Sequence, residues 1–378
     1  MRKPVLILGG YGNFGRRIAT ALATDPDMEL LIAGRDQTKA AALAQALGAH
    51  ARPVMLDHTS SDFRERLAAL KPKVLIHTSG PFQGQDLHIV EACIAAGCHY
   101  VDIADGRDYV GGIRRLDEAA RQAGVLVASG ASSLPALSSA VVDEGRSAFS
   151  RLDSIESGIS AGAKPPGLAT MEGVLSYVGK PFLRLENGVW RTVHGWQDIV
   201  SRRYPSPLGR RWLGSCDVPD LDLFPERYPG VRTVVFRAGV GFTVTTLATW
   251  LFSWLVRAGL LGNLARWASP LHRLAGTLEP LGSVWSAMHV TLTGMDDAQQ
   301  PATRTWLLLA GNNDGPNIPC FPAIALTRKL VRGEVTERGA MPCMGLLTVE
   351  EILTAIPGLD LKWACHNCRA GEDSGPDH

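Results

Sequence analysis

Four apolar residues, Val5 to Leu8, run straight into Gly9-Gly10-Tyr11-Gly12-Asn13-Phe14-Gly15, and an amphipathic pattern follows. Glycines at this spacing, after a strand and before a helix, build a cradle for a pyrophosphate. The first ones turn the chain tightly and let its backbone approach the anion. Gly15 lets helix and strand pack closely, and the helix start offers unpaired N–H groups. Tyr11, Asn13 and Phe14 lie in the same turn. The pattern alone is weak and gains its meaning from standing at the head of repeated strand–helix units.

A second set of residues selects the nucleotide. In "LLIAGRDQTK" (30–39), Arg35 follows the second apolar run, where an NAD site usually places Asp or Glu for the ribose 2′-hydroxyl. A guanidinium there suits a 2′-phosphate, with Lys39 one helical turn on. The expected cofactor is NADP(H). Asp36 either joins this site or caps the following helix. Further on, Ser79-Gly80-Pro81-Phe82 closes the fourth apolar run, at the edge where such folds bind ligands. Pro81 fixes its own φ and Phe82 can shield a nicotinamide ring; the same residues also read as a plain turn. Ser132 follows the sixth run and either touches the nicotinamide amide or caps a helix.

Candidates for proton chemistry lie in "HYVDIADGRDY" (99–109). Tyr100 and Asp102 share one face of a strand, and Asp105 and Tyr109 lie just past its carboxyl end. Asp102 is expected either to orient a substrate amine or move a proton, or to hold a neighbouring loop backbone. A Tyr-x-x-x-Lys pair is absent; Tyr177 has its lysine, Lys180, one residue too close. His194, His272 and His289 are isolated and read as structural. Cys365-His366-Asn367-Cys368 lacks a second ligand pair at zinc spacing, so no metal is expected.

Positioning these groups falls to a regular alternation over the first 130 residues. Apolar runs at 4–9, 28–34, 51–57, 73–79, 99–104 and 125–129 alternate with stretches of helical periodicity. That is an α/β pattern, a doubly wound parallel sheet of Rossmann type. Residues 131–315 read as a second, α+β domain on a mostly antiparallel sheet, with strands in "GVWRTV", "RTVVFRAGV", "SAMHVTLTGM" and "ATRTWLLLAG". A final helical segment spans 316–362, and 363–378 reads as a disordered polar tail.

Composition narrows the partners. The net charge of +1 and the lack of a basic run exclude nucleic acid as the main partner and leave a small-molecule substrate. After Met1-Arg2-Lys3 the apolar run is too short for a secretory signal, and seven cysteines without framework spacing point to a reducing, cytoplasmic setting. Residues 238–256 carry no charge until Arg257, but glycines and β-branched residues in their first part leave only 243–256 helical, short for a bilayer. A pocket wall, a subunit contact or a peripheral membrane contact is expected there, the last suited by Trp250, Trp254, Trp267, Arg257 and Arg266.

"GGYGNFGRRIA", "AGRD", "SGPFQGQDLHIVEACIAAGCHYVDIAD" and "SGASSLPALSSAVVD" resemble the saccharopine dehydrogenase family, in particular its reductase-type members. "PCFPAIALTRKLVRGEVTERGAMPCMGLLTVEEIL" resembles the family's C-terminal segment, which packs back on the first domain. The middle is closer to bacterial relatives than to lysine-pathway enzymes. The resemblance implies a second domain carrying substrate and dimer contacts, hence a homodimer, and NADPH-dependent reduction of a C=N bond. Its alternatives are an enoyl (C=C) reductase on a lipid-like chain and an NADP-binding, membrane-proximal scaffold without turnover. The long apolar segment and the missing arginine cluster favour a lipophilic substrate over saccharopine.

Overall fold

The computed structural model describes residues 2–279 and 282–369. The chain divides into two units: Met1–Leu137 with Asn317–Pro357, and Ser138–Pro316 with Gly358–His378.

The first unit alternates β1 (Lys3–Leu8), α1 (Asn13–Leu22), β2 (Met28–Gly34), α2 (Gln37–Leu47), β3 (Ala51–Met55), α3 (Phe63–Leu70), β4 (Val74–His77), α4 (His88–Ala95), β5 (His99–Asp102), α5 (Arg107–Gly112), α6 (Asp117–Gln122) and β6 (Leu126–Ser129). Val5–Leu8, Leu30–Ala33 and Val74–Ile76 are buried almost completely, as strands covered on both faces must be. Each such side chain contributes about 1.5–3 kcal/mol by leaving water. The strands pair in parallel in the order β3-β2-β1-β4-β5-β6. That order reverses between β1 and β4, and ligands of such sheets bind at the carboxyl ends beside the reversal.

The second unit holds α7 (Ser138–Gly145), β7 (Arg151–Ser160), α8 (Leu168–Ser176), β8 (Pro181–Glu186), β9 (Val189–His194), β10 (Val200–Tyr204), β11 (Gly209–Ser215), α9 (Asp220–Arg227), β12 (Thr233–Gly239), α10 (Thr243–Arg257), α11 (Ala268–Leu278), β13 (Ser286–Met295) and β14 (Pro301–Ala310). Its sheet runs β10-β11-β12-β7-β13-β14, antiparallel except for the β12–β7 pair, and β8–β9 form a separate hairpin. Among the described residues, no helix is long and apolar enough to cross a membrane.

The C-terminal region serves both units. α12 (Phe321–Arg332) packs against α1, β4 and β5; β15 (Gly339–Pro342) adds a seventh parallel strand beside β6; α13 (Val349–Leu353) follows with a complete Thr348/Glu351 capping box. β16 (Leu361–Arg369) then pairs antiparallel with β14. This corrects the reading of residues 363–369 as the start of a disordered tail. A polar strand needs only backbone partners, and the open edge of β14 supplies them over its full length. The rest of the expected tail, 370–378, lies outside the described residues.

Candidate dinucleotide site and its polar edge

The glycine cluster forms a tight turn in which every missing side chain is used. Gly9 has φ +80°, and a Cβ there would stand 2.5 Å from Ser79 Oγ. A Cβ on Gly15 would fall 2.2 Å from the carbonyl oxygen of Gly9 and 2.8 Å from Gly10 Cα, so only glycine lets α1 start this close to β1. The Gly12 amide donates to Gly9 O at 2.8 Å and closes the turn. α1 begins with Gly12 as its cap, with no side-chain cap and no acidic residue in the first turn. Its amides are thus left for an anion, and the positive end of the helix faces it. Asn13 is exposed at this start and Phe14 is half-buried.

Tyr11 shapes the neighbouring turn. Its ring covers Gly34, where a Cβ would meet the ring at 2.5 Å, and its hydroxyl accepts the Asp36 amide at 2.9 Å. Asp36 accepts the Lys39 amide at 3.0 Å and caps α2, and its carboxylate pairs with Lys39 Nζ at 3.1 Å. The Lys39 amide, and next its side chain, hold the Asp36 carboxyl below its ordinary value. Arg35 is exposed and makes no hydrogen bond or ion pair among the described residues. The Asp57 carboxyl, held low chiefly by Thr59, also feels the Arg35 charge. Residues present here fit a dinucleotide phosphate: a cradle that a Cβ would fill, an uncapped helix start and a free guanidinium.

At the other side of the sheet reversal, the Gln85 side chain donates to Ser79 O at 2.8 Å and to Pro81 O at 2.6 Å, pinning the Ser79–Phe82 loop. Gln83 donates to Asp105 at 3.2 Å, and Gly106 lies so close to the Phe82 backbone that a Cβ would reach it at 3.2 Å. The loops after β4 and β5 therefore form one clamp. Burial raises the Asp105 carboxyl above its ordinary value, against the Gln83 hydrogen bond. Ser132 is buried in the loop after β6, where its carbonyl accepts the Leu137 amide.

Beneath the clamp runs a chain of hydrogen bonds. Tyr100 Oη lies 2.9 Å from His77 Nδ1 and 2.8 Å from Tyr109 Oη, and Phe82 packs against both ends of this chain, 5.0 Å from the His77 ring and 5.4 Å from that of Tyr109. Burial pushes His77 down to about 3 and both tyrosines up, so the whole chain is uncharged near neutrality. His77 was not among the residues singled out from the sequence. Its signal is a polar side chain ending an otherwise apolar strand, "VLIH".

Asp102 is placed differently. It is fully buried, and its Oδ1 accepts the Gly130 amide at 2.7 Å and the Ala104 amide at 2.9 Å. This is the loop-holding geometry weighed for it above. Burial raises the carboxyl to about 6, against those two amides. In the second unit, His289 bonds Tyr204 Oη at 2.9 Å and His272 bonds Pro166 O at 2.9 Å. No group of residues able to hold a metal occurs among the described residues.

Residues 5–128 match the family described as "Saccharopine dehydrogenase NADP binding domain". That match covers β1 to β6, a third of the chain. The saccharopine dehydrogenase NADP-binding domain thus accounts for the glycine cradle, and a nicotinamide dinucleotide is its cofactor. Over the full length, the fold is similar to that of the L-Glu-forming saccharopine dehydrogenase of Saccharomyces cerevisiae. The TM-score is 0.69 at 16% identity, covering 96% of this chain and 100% of that one. In sequence, the chain is 30% identical over 102 residues to a protein of two Mycobacterium tuberculosis strains named "putative trans-acting enoyl reductase". That match covers 26% of this chain and spans about a quarter, 24%, of the relative's length.

Proposed function

We propose that the chain is an NADPH-dependent reductase that delivers a hydride to a polarised double bond of a lipophilic small molecule, an imine (C=N) in the first instance. The observation that carries the reading is the pairing of the glycine cradle with the free guanidinium of Arg35 in a saccharopine dehydrogenase NADP-binding domain. Gly9, Gly10, Gly12, Asn13, Phe14 and Gly15 would hold the pyrophosphate, Arg35 with Lys39 the 2′-phosphate, and Ser79 to Phe82 with Ser132 the nicotinamide end. The bound reduced cofactor supplies the hydride. The protein's own residues shape a dry edge and orient a hydroxyl there: Tyr100, held by His77, fixes the Tyr109 hydroxyl, which can hydrogen-bond the reacting atom. A protonated imine needs only the hydride, whereas enoyl reduction also needs a proton at the adjacent carbon.

The enoyl alternative draws support from the name of the mycobacterial relatives. The same reading includes a homodimer in a cytoplasmic setting and a peripheral membrane contact through residues 243–256. The test is NADPH oxidation followed across panels of imines, enoyl thioesters and ketones. Turnover with imines above the others supports the first reading, and turnover with enoyl thioesters alone the second. Tight NADPH binding without oxidation in any panel would leave a cofactor-binding scaffold.

A further inference from the structure

Helix α10 is built inside out. Its buried positions are Thr246 and Ser253: the Thr246 hydroxyl bonds Phe242 O and the Val240 backbone at 3.3 Å, and the Ser253 hydroxyl donates to Trp250 O at 2.6 Å. It lies so close to the β8 approach that a Cβ on Gly179 would meet Ser253 O at 2.4 Å. The outward side carries Val244, Leu251, Phe252 and Trp254, with Val244 77% exposed. Trp267 and Leu274, on the turn before α11 and on α11 itself, extend the apolar surface, each more than half exposed. Leu247, Trp250, Leu255 and Val256 are half-buried at its sides, while the large apolar side chains turned outward are left for an apolar environment.

Along this segment the charges are of one sign, with Glu172 on the neighbouring α8 and Glu279 after α11 as the nearby carboxylates. From residue 227 to 278 the sequence holds no Asp or Glu, while Arg257, Arg266 and Arg273 fall within 257–273. Arg266 and Arg273 are exposed, and Arg257 lies 5.1 Å over the Trp254 ring with one nitrogen on Gln197 Oε1 at 2.8 Å. A second copy is a poor occupant. A two-fold contact sets the same patch against itself and would crowd these arginines, which outnumber the carboxylates Glu172 and Glu279 near them. Tryptophans, aliphatic side chains and arginines in one outward face match the boundary between acyl chains and anionic headgroups.

We infer that the α10–α11 face docks on the surface of a bilayer rich in anionic lipids, lying in the interface and not spanning it. The inference deepens the membrane contact in the reading above but does not depend on hydride transfer, since lipid binding requires neither substrate nor cofactor.

Co-sedimentation of the full chain with vesicles tests it, using phosphatidylglycerol mixed into phosphatidylcholine against phosphatidylcholine alone. Partition into the anionic vesicles should be at least tenfold stronger and should weaken as salt is raised. R266Q and R273Q should each lower it roughly fivefold. The double variant Leu251→Glu, Leu274→Glu should abolish it while keeping the parent's thermal shift by NADPH, which shows that the chain is folded. Should that variant not fold, Leu274→Ser alone serves, at an exposed position of α11, with an expected loss of several fold. Equal binding to both vesicle types, no binding, or unchanged binding by the variants would overturn the inference. So would a dimer that the double variant turns into a monomer, which would put a second copy on this face.

Discussion

Tyr100 Oη lies 2.9 Å from His77 Nδ1, joining the ends of β5 and β4 by a hydrogen bond between two fully buried side chains. In the β4–β5 register Tyr100 stands opposite Leu75, so His77 is its diagonal neighbour on the same face. Removing the hydroxyl leaves a buried imidazole nitrogen without a partner. Tyr100→Phe should therefore cost about 1–3 kcal/mol of stability. A urea midpoint equal to the parent's would show that the bond carries no weight.

Tyr109 ends this chain and reaches it through Tyr100 at 2.8 Å. If the Tyr109 hydroxyl bonds the reacting atom, Tyr109→Phe should lower kcat at least tenfold and leave NADPH affinity unchanged. Steady-state rates, together with NADPH titration, separate this from a packing role, which would alter affinity and rate together.

Arg35 is exposed and free, so its removal should not disturb the fold. Arg35→Ala should weaken NADPH by ~1.5–3 kcal/mol, or roughly ten- to a hundredfold, the worth of a charged hydrogen bond, and leave NADH nearly as before. Equal losses for both cofactors, measured by calorimetry, would remove Arg35 from the 2′-phosphate site.

Gly15→Ala sets a methyl group 2.2 Å from a backbone oxygen, with no flexible side chain to yield. The start of α1 must then move away from β1, and the amides of the cradle with it. The expected result is loss of the thermal shift that NADPH produces in the parent, with or without a lower melting point. A full shift would mean that the cradle tolerates a side chain.

The buried histidines weaken the folded chain in acid. Burial lowers His77 to about 3 and His99 to about 4, from an ordinary 6.5. Their contribution is complete above pH 6.5 and is lost as pH falls from there toward those values, because only the unfolded chain takes up the protons. The slope is about 1.4 kcal/mol per pH unit for each group. The buried carboxyls of Asp102 and Asp220, raised to about 6 and about 7, take up protons first in the folded chain and work the other way. Denaturant midpoints should therefore fall between pH 7 and pH 5 by less than the histidines alone would give. A His77→Asn variant should show a shallower fall than the parent; an identical slope would remove His77 from the response.

The placement of most elements around the site was legible in the sequence for a simple reason. Strands buried on both faces must be apolar, as in "VLIL" and "LLIA", and a turn without room for a Cβ must be glycine, as at Gly9 and Gly15. Arg35, too, is displayed by its position after β2 alone. What the tertiary structure decided depends on neighbours distant in the chain. His77 meets Tyr100 only because β4 and β5 pair, and Asp102 is committed to Gly130 only because β6 ends beside β5. β16 exists because β14 leaves an edge open, which no local pattern in "KWACHN" announces. Likewise the apolar stretch in α10 was visible as composition, but whether it faces in or out follows from which residues its unit buries. Thr246 and Ser253 went inside, and the large apolar side chains were left outside.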